Sequence, residues 1–85
     1  MNLERELKQF ILKILLQAKE QPINDDTLKR LVRAAYHHVA IPAAALERVI
    51  GELKRSGLIA GVQDEIFGLA WTLSLKGKSK AQQIR

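Results

Sequence analysis

Apolar residues recur every three or four positions as far as Arg55, and every second position after Gly57. The first spacing is that of helices with one buried face, and the second is that of a strand with alternating faces. Breaks at Pro22, Pro42 and Gly57 divide the chain into segments of ordinary length. The pattern therefore predicts three helices followed by a hairpin, a mainly α fold with a small β hairpin.

The first helix is predicted over about residues 3–19. Its main apolar face consists of positions at helical spacing: Leu3, Leu7, Phe10, Ile11, Ile14 and Ala18. Leu12 and Leu16 lie one turn apart off that face. Two interpretations are open: the helix is central and covered on both sides, or these leucines form an exposed stripe that pairs with a second copy. The second interpretation predicts a homodimer, with Leu12 and Leu16 as partner-binding residues.

The second helix has a clear start, because Asn24 is a good N-cap and Asp25 and Asp26 suit the positive helix end. Capping explains this acidic pair without catalysis. The predicted core positions are Leu28, Leu31, Val32, Ala35 and Val39. The opposite face carries Lys29, Arg30, Arg33 and His37.

The third helix is predicted to begin at Pro42 and to run to about Arg55, with Gly57 as a left-handed closing residue. Its inward positions are Leu46, Val49, Ile50 and Leu53. Its outer line is Ala44, Arg48, Gly51 and Arg55.

The hairpin is predicted to pair about residues 58–63 with 69–75, with its turn inside 64–68. Alternation places Leu69, Trp71, Leu73 and Leu75 on one face, which predicts that Trp71 is in the core. From Gly77 the chain is polar and basic, either a short last helix or a frayed tail. The predicted organisation is one domain over 1–77 and a basic C-terminal tail over 78–85.

Two stretches carry a resemblance to a known family: Leu53-Lys54-Arg55-Ser56-Gly57-Leu58-Ile59 and Trp71-Thr72-Leu73-Ser74-Leu75-Lys76-Gly77. Together with the helix pattern, they resemble the winged helix-turn-helix superfamily, especially its small bacterial and phage transcription regulators. The resemblance extends from Leu3 to Gly77. It implies a three-helix winged helix-turn-helix fold and a DNA-binding, transcription-associated function.

In that superfamily the third helix usually enters the major groove and a basic hairpin, the wing, rests on the DNA backbone. The resemblance would place Ala43, Ala44, Glu47, Arg48 and Gly51 against the bases. Of these, Arg48 alone has the forked side chain that recognises guanine well.

The net charge of +5 is consistent with double-stranded DNA as a partner. The basic groups expected to bind it, mainly at the backbone, are Lys29, Arg30, Arg33, Arg48, Lys54, Arg55, Lys76 and Lys78. For each of them, a solvated surface charge is the alternative interpretation.

The predicted hairpin departs from a DNA-binding wing, because no Lys or Arg occurs from Ser56 through Leu75. Asp64 and Glu65 at its turn would repel phosphates, and Ile66 and Phe67 beside them are large and apolar. These features favour an alternative function, a protein–protein interaction module that binds its partner through Ile66 and Phe67. Folding back of both side chains onto the first helix is the competing interpretation.

The 85 residues give little support for a catalytic or metal-binding site. Cysteine is absent, no nucleophile has an identifiable base, and adjacent His37 and His38 diverge on a helix. We therefore expect no enzyme activity, no cofactor and no metal. The apolar run of Phe10, Ile11 and Leu12 is broken by Lys13, and the acidic N-terminal segment is unlike a secretion signal, so we expect a cytoplasmic protein without a membrane span.

Overall fold

The computed structural model describes residues 2–19 and 21–84, which form a mainly helical fold with a small three-stranded antiparallel sheet. In chain order the elements are α1 (Leu3–Gln17), β1 (Ile23–Asn24), α2 (Asp25–Ala35), α3 (Ala43–Arg55), β2 (Ile59–Asp64), β3 (Gly68–Leu73) and α4 (Leu75–Gln83). Two elements, β1 and α4, come in addition to the predicted three helices and hairpin.

The predicted helix boundaries are close to those of the structure. The Asn24 side chain caps α2 by accepting the N–H of Asp26 at 3.0 Å. Pro42 is the N-cap residue of α3 instead of its first helical residue, so this helix starts one position later than predicted. Gly57 has φ 76°, the left-handed conformation predicted for the residue that closes α3.

The sheet has the strand order β1-β3-β2, with both neighbouring pairs antiparallel. The hairpin register runs from Ile59 opposite Leu73 to Asp64 opposite Gly68, which confirms the predicted position of the turn. The additional strand β1 places Ile23 opposite Trp71. Two residues are too few to show an alternating pattern, so β1 could not be predicted from apolar spacing.

A single aliphatic core lies between the helices and one face of the sheet. Its largest buried side chains are Leu7, Ile11, Leu28, Val32, Leu46, Val49 and Leu53. Trp71 is 5% exposed, so its predicted core position is confirmed. Leu31, by contrast, is 41% exposed and Ala35 is also exposed, so both core predictions were wrong. Helix α2 buries only the narrow stripe of Leu28 and Val32.

Helix α4 packs along α1 and buries Ala81 in the core. The short helix is therefore the correct interpretation of the C-terminal segment as far as Gln83, and the predicted boundary at 77/78 falls within this helix. Leu12 is 3% exposed and Leu16 half-buried, so the prediction of an exposed leucine stripe was wrong. The stripe is covered because the segment predicted as a tail folds onto it.

The position of Leu75 also follows from α4. It was predicted on the apolar face of the hairpin, but it is the first residue of α4 and is 85% exposed. Within residues 2–19 and 21–84, no helix combines the length and the apolar character that crossing a membrane requires.

Candidate interaction surfaces

The basic residues predicted to bind nucleic acid are divided among α2, α3 and α4, and several contact groups of the protein itself. The Nζ atom of Lys29 lies 2.9 Å from a carboxylate oxygen of Asp25 and 3.4 Å from one of Glu47. These contacts, the hydrogen bond with Asp25 foremost, raise the pKa of Lys29 above its ordinary value. Lys29 therefore connects α2 to α3 as well as contributing charge to the surface.

Two further arginines in the predicted set have structural contacts. Arg33 Nη1 donates a hydrogen bond to the carbonyl oxygen of Ile41 at 2.8 Å, which fastens the turn between α2 and α3. Arg48, expected to recognise guanine, forms an ion pair with Glu4 of α1. The Arg48 side chain is 59% exposed, but its guanidinium has to release this carboxylate before it can recognise a base.

Three basic residues lie near the end of α3. Lys54 and Arg55 are exposed in the last turn of α3. Lys76 of α4 joins them, because its Nζ atom donates to the carbonyl oxygen of Ser56 at 3.0 Å. We call these three residues the basic group below the hairpin, since β2 starts near them at Ile59.

Two residues of the predicted set lie outside this group. Arg30 is exposed on α2. Lys78 is half-buried and lines a groove between α1, α4 and the hairpin, together with Leu16 and Leu73. The eight predicted residues thus do not form one continuous surface.

The hairpin tip, residues 64–68, is a fixed turn with exposed apolar side chains. Asp64 Oδ1 accepts the N–H of Phe67 at 2.9 Å and that of Ile66 at 2.7 Å. These two backbone hydrogen bonds lower the pKa of the Asp64 carboxyl. On the other side of the turn, Asn24 donates its side-chain N–H to the carbonyl oxygen of Phe67. The tip backbone is therefore held from two directions.

The side chains at the hairpin tip nevertheless point into solvent. Ile66 is 82% exposed and Phe67 is 72% exposed. Folding back onto α1, the competing sequence interpretation, is thereby excluded for both residues. Val62 and Leu69, which lie on opposite faces of the hairpin, are 40% and 38% exposed. Apolar side chains clustered on a fixed turn are typical of a protein contact.

A cleft of about 220 Å³ separates the hairpin from α2 and α3. Its lining residues are Asp25, Lys29, Glu47, Ile50, Gly51, Leu69 and Trp71. Inside it, Asp25 accepts a hydrogen bond from Trp71 Nε1 at 2.9 Å and contacts Lys29. Burial raises the pKa of Asp25, but hydrogen bonds from Trp71 and Lys29 and the Lys29 charge outweigh it, so the net pKa is lowered. The carboxylate is thus fully engaged by its neighbours.

The contact between Asp25 and Trp71 was missed by the sequence analysis, which explained Asp25 by capping alone. The two residues are 46 positions apart, and nothing local in the chain relates them. In comparisons with protein-family models, curated proteins and solved structures, the chain gives no match. The surfaces described above are therefore the basis for inferring function.

Proposed function

We propose that the chain is a protein-interaction module on a winged helix-turn-helix scaffold, and that it binds through the hairpin tip. The observation that carries this proposal is the exposure of Ile66 and Phe67 on a turn whose backbone is fixed. A fixed turn loses little conformational entropy on binding, so more of the free energy of burying these two side chains remains for affinity.

The scaffold assignment is supported by the order of the elements. Helix, short strand, two helices and a hairpin follow one another, and the first strand pairs with the far strand of the hairpin. This arrangement fits the winged helix-turn-helix resemblance of the sequence. A fold of this kind does not determine the type of partner, so the surface has to be considered separately.

The surface of the hairpin favours protein over nucleic acid. Its tip carries the acidic groups Asp64 and Glu65, which oppose a phosphate backbone. The side chain that would recognise bases, Arg48, is paired with Glu4. An apolar tip with acidic neighbours, on a hairpin without Lys or Arg, instead fits an apolar protein site with a basic rim.

A photo-reactive phenylalanine analogue at position 67 tests the proposal in cells that express the protein. We expect illumination to attach position 67 covalently to a protein, and we expect Ile66→Ser to reduce the yield. The matched control carries the analogue at Ser79, an exposed position of α4. Attachment to nucleic acid alone, or equal yields from positions 67 and 79, would overturn the proposal.

Binding of duplex DNA, in association with transcription, is the second candidate function. It is favoured by the exposure of Arg30, Lys54 and Arg55, together with the net charge of +5. Under this hypothesis the helices, without the hairpin, supply the backbone contacts. A chain without cysteine suits the reducing cytoplasm, where we place either function.

A further inference from the structure

The outer edge of β2 is open to a further strand. Within the described residues β2 pairs with β3 alone, and five of its six residues, Ala60 to Asp64, are exposed. Backbone N–H and C=O groups on such an edge are available for pairing. Edge strands are usually protected by Lys, Pro or a bulge, but β2 contains neither residue, and its register with β3 is uninterrupted.

Opposite charges lie at the two ends of β2. Asp64 and Glu65 are at the hairpin tip. At the other end lies the basic group below the hairpin, which consists of Lys54, Arg55 and Lys76. Such a strand has charges arranged to match its own reversed copy, because reversal places the acidic end of one strand beside the basic end of the other.

We propose that the hairpin's partner is a second copy of this chain, which adds its own β2 antiparallel to the first. This inference rests on the proposed function, for which it names the partner. The resulting two-fold dimer has a continuous sheet through both hairpins. It uses every charge contact twice, as an interface with two-fold symmetry must.

The Leu58 oxygen accepts the N–H of Ser74, so every second residue from Leu58 directs its backbone groups towards the β3 side, and Gly61 directs its own towards the open edge. The register therefore follows from placing Gly61 opposite Gly61 of the second copy. In an antiparallel pair the numbers of opposed residues have a constant sum, so Asp64 lies opposite Leu58 of the second copy. The hairpin tip then extends past Leu58 towards Ser56 of the second copy. Since Lys76 Nζ is 3.0 Å from the Ser56 carbonyl oxygen, this arrangement brings Glu65 close to the ammonium group of the other chain.

The same register gives the two exposed apolar side chains a contact. Ile66 and Phe67 then lie beside the segment of the second copy that follows α3, where Gly57 has no side chain to obstruct them. Pairing through the predicted stripe of Leu12 and Leu16 is not an alternative route, since Leu12 is buried. One strand pair and two tip contacts make a small interface, with an expected Kd of about 10–100 µM.

Sedimentation equilibrium of the purified full chain, with a charge exchange, tests the inference. Glu65→Lys and Lys76→Glu each place like charges at both ends of the strand pair, and we expect each to weaken association about tenfold. An equimolar mixture of the two variants should recover the wild-type affinity, because each new lysine then meets a new glutamate. Circular dichroism checks that both variants fold.

A charge change elsewhere provides the control: Gln82→Lys on the exposed side of α4 should leave association unchanged. A monomer up to about 1 mM overturns the inference, since the expected Kd is far lower. A dimer that is insensitive to both charge variants, or a mixture that does not recover, also overturns it. The proposed function survives these outcomes if position 67 still attaches to a different protein, so the two failures are distinguishable.

Discussion

The backbone of Gly77 lies so close to the carbonyl oxygen of Leu58 that a β-carbon at position 77 would be 1.9 Å from that oxygen. Ser74 holds the two segments together. Its N–H donates to the same Leu58 oxygen at 3.1 Å, and its Oγ accepts the N–H of Gly77 at 2.9 Å. With Lys76 bonded to Ser56, the start of α4 is fastened to the end of α3. The Ser-Leu-Lys-Gly run thus has a structural role.

We expect Gly77→Ala to reduce the free energy of unfolding by about 2–3 kcal/mol, because the added methyl group meets a backbone oxygen that other hydrogen bonds hold in place. Urea unfolding followed by circular dichroism measures the change. Ser79→Ala, an exposed position on the same helix, should differ from wild type by less than about 0.5 kcal/mol. A change equally small for Gly77→Ala would show that the two segments are not tightly apposed.

Local features of the sequence were sufficient for most element boundaries. Asn24 caps α2 and Gly57 closes α3 because each acts through atoms within a few residues of itself. The same kind of reasoning failed at α4. Leu75 is in phase with the alternating residues of β3 and so resembles a strand residue, whereas Ser74 ends the strand by capping the next helix.

The candidate sites depended on contacts that no local pattern contains. Exposure of Ile66 and Phe67 follows from the fixed turn, and one of its supports comes from Asn24, 43 positions from Phe67. Pairing of Arg48 with Glu4 spans 44 positions. The residue types could be selected from the sequence, but their availability to a partner could not.

Leu12 is expected to contribute to stability and not to association. Leu12→Ala removes a side chain that is 3% exposed beneath α4, so we expect a loss of about 2–5 kcal/mol in the free energy of unfolding. Leu75→Ala is the matched control, because Leu75 is 85% exposed and should be nearly neutral. Thermal unfolding and sedimentation of both variants measure the two properties. Weakened self-association of a fully stable Leu12→Ala protein would contradict this assignment.

Because the pKa of Asp25 is lowered in the folded state, we expect the free energy of unfolding to decrease in acid. Its folded pKa lies below the ordinary value of 3.8, so its contribution is fully present above that value and is lost as the pH falls through the folded pKa. Asp25→Asn keeps an oxygen acceptor for Trp71 but removes the charge that Lys29 contacts. We expect this variant to be about 1 kcal/mol less stable than wild type at pH 7.

The pH dependence of the difference is the sharper measurement for Asp25. Urea unfolding at pH 7 and at pH 2 should show the wild-type advantage shrinking at the lower pH, because pH 2 lies below the ordinary Asp pKa of 3.8 and the unfolded state then gains a proton that the folded state resists. Asp64 also has a lowered pKa and contributes in the same direction, but it is unchanged in both proteins and cancels from the comparison. An advantage that persists undiminished at pH 2 would show that Asp25 stabilises the fold through shape and not charge.

The second candidate function, binding of duplex DNA, predicts an affinity that depends on salt concentration. If the protein binds duplex DNA, the logarithm of its affinity should fall with the logarithm of salt concentration, by about 0.9 for each phosphate contacted. Arg30→Ala and Lys54→Ala should each weaken all sequences alike and reduce that slope by about one. Titration of labelled duplexes at several salt concentrations measures both quantities.

Glu4→Gln then distinguishes a free Arg48 from an occupied one. It removes the carboxylate that holds Arg48, so a DNA-binding protein should gain affinity and sequence preference, and Arg48→Ala should lose that preference. Glu6→Gln makes the same change of charge in the same helical turn of α1 and is the matched control. If Glu4→Gln and Glu6→Gln have equal effects, general electrostatics explains the gain. If no variant binds DNA even at low salt, the helices have no role as a nucleic-acid surface, and protein contact through the hairpin tip is the remaining function.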